Sequence, residues 1–292
     1  MDQNYIIATA STADLTREYL EEHKLPFISY SYVIGDDEYL DDCKEETRLN
    51  VYKKMREGAI LSTSAINMYT YREFFEELIK QGKDVIFLDM SRVLSSSSRF
   101  CDEAIEDLKE DYPERTIINV DTCCVSGGLG MLVENVVKLY ESGSSMDEVL
   151  DWIENNKLKI AHRFTVDDLN WLKRGGRVSN ASALVGTLLS IKPILYVDDN
   201  GALVASSKVR GRKIALNTVI ESVKKEITNP DGMIIRINHA DCYEDAQFVK
   251  DKLLEAFPTI GEITITGLGV VIGAHCGPGL FTVFYMTDKR NA

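Results

Sequence analysis

Short apolar runs rich in β-branched residues recur through the first half of the chain, at 4–9, 28–33, 84–90 and 115–120. Between them lie polar segments whose apolar positions follow a helical spacing, at 15–23, 49–57, 71–81 and 101–111. Strand alternating with helix predicts a parallel sheet covered by helices, a three-layer α/β domain. Two further helices, 128–140 and 146–156, close this half. The second opens at Ser145 with Glu148 three residues later, a spacing that lets each side chain take up the other's free backbone N–H.

The rhythm changes near residue 160. A strand over 159–166 and a short helix over 168–173 come first. A hairpin of 192–197 with 202–209 follows, turning at Asp199-Asn200-Gly201. Then come a long amphipathic helix (213–227), a strand (233–238), a helix (244–257) and strands at 262–266 and 281–286. This is a mixed-sheet α+β pattern. The expected organisation is therefore two domains, 1–160 and 161–292, with no Gly/Pro-rich linker between them.

At 292 residues, 45% hydrophobic and 27% charged, the chain has the composition of an ordinary globular protein of two domains. No basic segment precedes a long apolar run near the start, so neither a signal peptide nor a membrane span is expected, and a cytoplasmic location is. The net charge of -13 repels nucleic-acid phosphates over most of the surface. Six cysteines (Cys43, Cys101, Cys123, Cys124, Cys242, Cys276) show no zinc-binding spacing and read as reduced thiols. Four scattered histidines without paired carboxylates give no metal site, and the phosphate-cradling and dinucleotide glycine motifs are absent, so no cofactor is expected.

Four strands or apolar segments end in hydroxyl-rich loops that begin helices: Ser11-Thr12-Ala13-Asp14, Ser62-Thr63-Ser64, Ser91 with Ser95-Ser96-Ser97-Ser98, and Asp121-Thr122 with Ser126-Gly127-Gly128. Taken singly, each is more often a helix cap than a ligand site. Taken together, they predict hydroxyls and free backbone N–H groups around one anion, a carboxylate or a phosphate. Two basic clusters, Lys173-Arg174-Gly175-Gly176-Arg177 and Lys208-Val209-Arg210-Gly211-Arg212-Lys213, carry seven of the 33 basic residues. In so acidic a chain they suggest a phosphate or an acidic protein partner. His275 stands in the glycine-rich stretch His275-Cys276-Gly277-Pro278-Gly279, read as a turn that fixes the direction of a ring able to titrate near neutral pH.

These motifs occur in the order seen in DegV proteins, which the chain resembles over essentially its whole length. The most specific parts of the resemblance are residues 164–179 (FTVDDLNWLKRGGRVS) and the HCGPG stretch at 275–279. The resemblance implies a DegV-like fold and a fatty-acid-binding protein that serves as a subunit of a bacterial fatty-acid kinase. It implies that Thr63 and Ser95 hold the fatty-acid carboxylate with His275 close by. Arg177 and Arg210 would then lie where the kinase subunit or the acyl phosphate is met. It further implies an apolar tunnel for the acyl chain between the domains, and no catalytic residue in this chain. The sequence departs from the family pattern at Ala10, where an Asp is usual. It also has Thr63-Ser64-Ala65-Ile66-Asn67 for Thr-Ser-Gln-Pro-Ser, and Ser95-Ser96-Ser97 for Ser-Gly-Thr. The competing reading is an enzyme, a hydrolase or a relative of small-ketone kinases, that uses Ser95 or His275. Against it, no base adjacent in sequence activates a serine.

Overall fold

The computed structural model describes residues 3–177 and 190–291. The first half contains β1 (Tyr5–Ala10), α1 (Arg17–Glu22), β2 (Phe27–Ile28), β3 (Ser31–Ile34), β4 (Asp37–Leu40), α2 (Glu45–Arg56), β5 (Leu61–Ser64), α3 (Met68–Ile79), β6 (Asp84–Asp89), α4 (Ser97–Asp111), β7 (Ile117–Asp121), α5 (Gly127–Glu141) and α6 (Met146–Asn156). The second half contains β8 (Ile160–Thr165), α7 (Leu169–Gly175), β9 (Ile191–Val197), β10 (Leu203–Arg210), α8 (Arg212–Glu226), β11 (Ile234–His239), α9 (Tyr243–Ala256), β12 (Glu262–Gly267), α10 (Val270–Cys276) and β13 (Phe281–Met286). Ser179, the last residue of the 164–179 motif, lies outside the described residues.

The first sheet, in the order β2-β1-β6-β7, is parallel throughout. Val85, Ile86, Phe87 and Leu88 of β6 are all fully buried, as expected for a central strand covered on both faces. The second sheet, β10-β9-β8-β13-β11-β12, is mixed, with β11 and β12 its one parallel pair. Alternation along its strands divides two cores. Phe164, Leu195, Val197 and Phe284 face the core shared with the first half, whereas Ala161, Ile194, Val283 and Tyr285 face a second core with residues of α8 and α9. The α/β fold with a parallel and a mixed sheet is thus the one the periodicity predicts.

Three local expectations change. The run 28–33 is not one strand: Phe27–Ile28 pairs at the edge of the first sheet, then the chain crosses to a small antiparallel sheet, β4-β3-β5. That sheet includes β5, whose sequence LSTS carries little strand signal. Most importantly, His275 stands in the last turn of helix α10 rather than in a turn. The glycines beyond it, Gly277 (φ +77°) and Gly279 (φ +87°), make the turn. The capping box at Ser145 and Glu148 forms as expected.

Close approach ties the halves together. A Cβ on Gly128 would lie 2.2 Å from Nε2 of His162, so only glycine lets the start of α5 sit on β8. Arg48 of α2 is buried and donates to the carbonyls of Leu15 (2.9 Å) and Gly267 (3.1 Å). Arg290, near the C-terminus and also buried, donates to Cys123 O (2.9 Å) and Asp198 O (2.7 Å), which holds the tip of the β9–β10 hairpin against the first half.

Candidate functional site

A cavity of about 590 Å³ of atom-free space, partly open to solvent, lies where β5, the loop after β6, α7 and α10 meet. Thr63, Ser95, Arg177 and His275 all line it; of the site residues expected from the sequence, only Arg210 lies outside this lining, exposed at the end of β10. Two of the four hydroxyl-rich loops reach the cavity, through Thr63 and Ser64 and through Ser95 and Ser96. The other two are committed inside the protein. Ser11 Oγ accepts from Tyr30 N (3.1 Å), Ser126 Oγ donates to Asp14, and Thr122 Oγ1 donates to Asp89 O (2.7 Å).

Each side chain is set by local structure. Thr63 is held in β5 by pairing with Tyr32 of β3. The Lys-Arg-Gly-Gly-Arg motif ends α7: Gly176, at φ +66°, closes the helix by donating to Leu172 O (3.0 Å) and turns the chain back. Arg177 then reaches the cavity and donates to Gly175 O (2.6 Å) and Leu94 O (3.3 Å). The glycines of both motifs let α7 and α10 touch. A Cβ on Gly175 would stand 2.8 Å from His275 Nδ1, and one on Gly277 would stand 2.3 Å from Trp171. Ser96, which replaces the usual glycine, sits at φ -73°, ψ -10°, an ordinary helical conformation that needs no glycine.

Thr63 Oγ1 and His275 Nε2 are 2.8 Å apart. Burial, reinforced by the nearby Arg177 guanidinium, lowers the His275 pKa to about 4 against a backbone hydrogen bond at Gly175, so the ring is neutral at pH 7. Ser95 Oγ accepts from Ser97 N (3.1 Å) and lies 3.4 Å from the Tyr30 hydroxyl. Tyr30 gives its own hydrogen to the buried Asp89 carboxylate at 2.8 Å, so Ser95 is the donor in the Tyr30 pair. Asp89 also accepts from Thr12 (3.0 Å), Tyr71 (3.3 Å) and Met90 N (2.7 Å); burial raises its pKa against these bonds. Tyr30 and Asp89 were not foreseen. Their only signal in the sequence is position, since Asp89 is the last residue of a strand in an open parallel sheet.

A second cavity of about 360 Å³ lies beside it, and Val125, Leu203, Ile272 and Cys276 line both. Phe164, Val197, Leu268, Leu280 and Phe284 supply its apolar walls. His162 also lines it but brings no charge. Its Nε2 accepts from Val125 N (3.3 Å), its Nδ1 pairs with Ile160 O (3.0 Å), and burial lowers its pKa to about 3. A polar pocket thus adjoins an apolar cavity between the ends of the first sheet's strands and one face of the second sheet, an arrangement suited to an amphiphile with one small polar end.

The sequence profile described as "Uncharacterised protein, DegV family" matches residues 5–288. The chain belongs to the DegV family. A DegV domain-containing protein of Clostridium perfringens, CPE0026, is 39% identical over 289 residues, covering 99% of each chain. Two solved structures share the fold closely. One, described as a stearic acid-binding protein from Eubacterium ventriosum, is 25% identical at a TM-score of 0.88, covering 97% of this chain and 98% of that one. The other, described as a fatty-acid-binding DegV family protein from Thermus thermophilus, is 26% identical at 0.87, covering 98% of this chain and 100% of that one. Among the described residues of this DegV protein, no helix is long and apolar enough to cross a membrane.

Proposed function

We propose that this DegV protein binds a long-chain fatty acid and presents its carboxylate to a separate kinase subunit for acyl-phosphate formation. The observation that carries the reading is that the polar cavity and the apolar one adjoin and share four lining residues. Thr63 and Ser95 hold the carboxylate beside His275, and the acyl chain runs past Ile272 and Leu203 toward Phe164 and Phe284. In this reading residues 1–160 supply the hydroxyl loops and 161–292 complete the lipid pocket. The names of the solved relatives support fatty acid as the ligand.

The chemistry is one of holding rather than turnover. A partly buried carboxylate needs charge-assisted hydrogen bonds, which two hydroxyls and an imidazole supply, with Arg177 adding positive charge at the side. Protein purified by gel filtration and then denatured should release close to one fatty acid per chain, read by mass spectrometry. Protein free of lipid that instead turned over an ester would favour the enzymatic reading with Ser95 or His275.

The arginines belong to presentation. Both are exposed, and an exposed charge pair contributes up to about 1 kcal/mol. Arg177→Ala should therefore weaken fatty-acid binding by at most about fivefold, and Arg210→Ala by less. Both should slow acyl-phosphate formation with a cognate kinase subunit and ATP far more than that. Loss of binding as deep as in a Thr63 variant would assign Arg177 to the carboxylate site instead.

A further inference from the structure

Residues that face each other on neighbouring strands of the second sheet point to the same side. Thr282 of β13 stands opposite Phe164 of β8 and Asn238 of β11, two residues before Phe284. Phe164 and Phe284 face the core shared with the first half, so Thr282 belongs to that face, and all three line the apolar cavity. Thr282 is only 3% exposed. Among the described residues, three bring a side-chain oxygen or nitrogen to this cavity: Ser126, His162 and Thr282. The first two are already paired. Ser126 Oγ donates to Asp14, and the ring nitrogens of His162 pair with Val125 N and Ile160 O. The Thr282 hydroxyl has no partner among the described residues. Thr165, on the opposite face of the same sheet, does find one and donates to Pro193 O (2.8 Å).

Valine has nearly the same shape as threonine, and in an apolar wall it leaves no hydroxyl unpaired. Water does not resolve the imbalance. A buried water holds about three hydrogen bonds, and this wall offers one free side-chain group. The remaining partner is whatever occupies the cavity. We infer that Thr282 selects for an oxygen on the acyl chain, so that the ligand it fits is a hydroxy fatty acid whose chain hydroxyl pairs with Thr282 Oγ1. The proposal rests on the fatty-acid reading and adds the chemical class of the chain. A threonine hydroxyl both donates and accepts, so it matches a second hydroxyl in either direction. A carbon–carbon double bond offers only its π-face, a weak acceptor.

The placement of Thr282 says where on the chain the oxygen sits. Thr282 lines the apolar cavity and not the polar one, and Leu203 and Ile272 stand in the wall common to both. With the carboxylate at Thr63 and Ser95, the chain hydroxyl lies beyond Ile272, in the distal part of the chain. A hydroxyl next to the carboxylate stays in the polar cavity and does not meet Thr282. Selectivity follows from what is left unpaired. A saturated chain strands the Thr282 hydroxyl, and a hydroxyl at the wrong carbon strands two groups at once. Leaving one buried hydroxyl without its partner corresponds to about five- to a hundredfold in affinity. Phe164, Phe284 and Leu280 around Thr282 keep that pair away from competing water.

Dissociation constants for stearate, and for hydroxystearates whose hydroxyl is stepped carbon by carbon from the carboxylate to the methyl end, test this on wild type, Thr282→Val and Thr282→Ser. The wild type should show an affinity maximum at a distal position. Thr282→Val should weaken binding at that position by about five- to a hundredfold, while holding stearate at least as tightly as the wild type does. Thr282→Ser keeps the hydroxyl and should keep the maximum. A wild-type profile with no maximum, or with its maximum beside the carboxylate, overturns the proposal without reference to any variant. A maximum that survives in Thr282→Val overturns it as well. Equal losses for stearate and for every hydroxystearate in Thr282→Val would give the threonine a structural role only, and also overturn it. Failure of the wild type to bind any member of the series would instead sink the fatty-acid reading on which the proposal stands.

Discussion

Changing Thr63 to Val and Ser95 to Ala together is expected to erase most of the protein's preference for a fatty acid over the matching fatty alcohol. A hydrogen bond to a charged group contributes roughly 1.5–3 kcal/mol net. Each hydroxyl should therefore account for about ten- to a hundredfold in acid affinity. Thr63→Val is the cleaner change because it keeps the side chain's shape in β5, where Thr63 pairs with Tyr32. The losses should combine to less than their sum, since both groups act on one carboxylate and Thr63 is also coupled to His275. The alcohol, held mainly by its chain, should lose little. Competition binding of the acid and alcohol to wild type, both single variants and the double variant measures all of this. A double variant that discriminated like the wild type would show that the carboxylate is held elsewhere.

The parts of the fold that could be read in advance were those whose burial leaves a local pattern. The central strands of the first sheet carry unbroken apolar runs, Val85–Leu88 in β6 and Ile6–Ala8 in β1, because both faces are covered. The second sheet alternates because its faces belong to two cores. Helix α10 left no such pattern. Val270-Val271-Ile272-Gly273-Ala274 is β-branched, broken by glycine and apolar on most sides, and such a short run does not distinguish strand from helix. What makes it a helix is tertiary: Gly269 and Gly273 lie against Asp14 and Tyr52, and Gly277 against Trp171, which lets the segment pack closely at the junction of the two halves.

The site divides in the same way. Thr63, Ser95, Arg177 and His275 could be named because family motifs mark them, and the structure brings these four to one cavity. Tyr30 and Asp89 orient Ser95 through a contact between positions 59 apart, and nothing local to either residue announces it. The four-loop pattern over-predicted for a related reason. A hydroxyl after a strand can serve a ligand or an internal partner, and the choice depends on what the rest of the chain brings near. Ser126 found Asp14, and Thr122 found the Asp89 carbonyl.

Ile272→Phe should convert the protein from a binder of long acyl chains into one that binds short chains as well as before. Ile272 is only half-buried because its side chain lines both cavities, so a larger ring there grows into open space rather than into packed core. In the wild type each methylene enclosed by the passage should contribute about 0.8 kcal/mol. Lengthening the ligand by two carbons should then tighten binding by somewhat more than tenfold. In the variant that slope should hold for acids short enough to end before the junction, then flatten, because further carbons find the way blocked and remain in water. Exclusion of four methylenes already amounts to ~3 kcal/mol, more than a hundredfold at the long end of the series. Dissociation constants for even-numbered saturated acids, measured on both proteins, test the passage directly, with thermal melting as the check that the variant is folded. Parallel slopes in the two proteins would mean that the chain does not pass Ile272. A flat response in the wild type would mean that the apolar cavity does not enclose the chain at all.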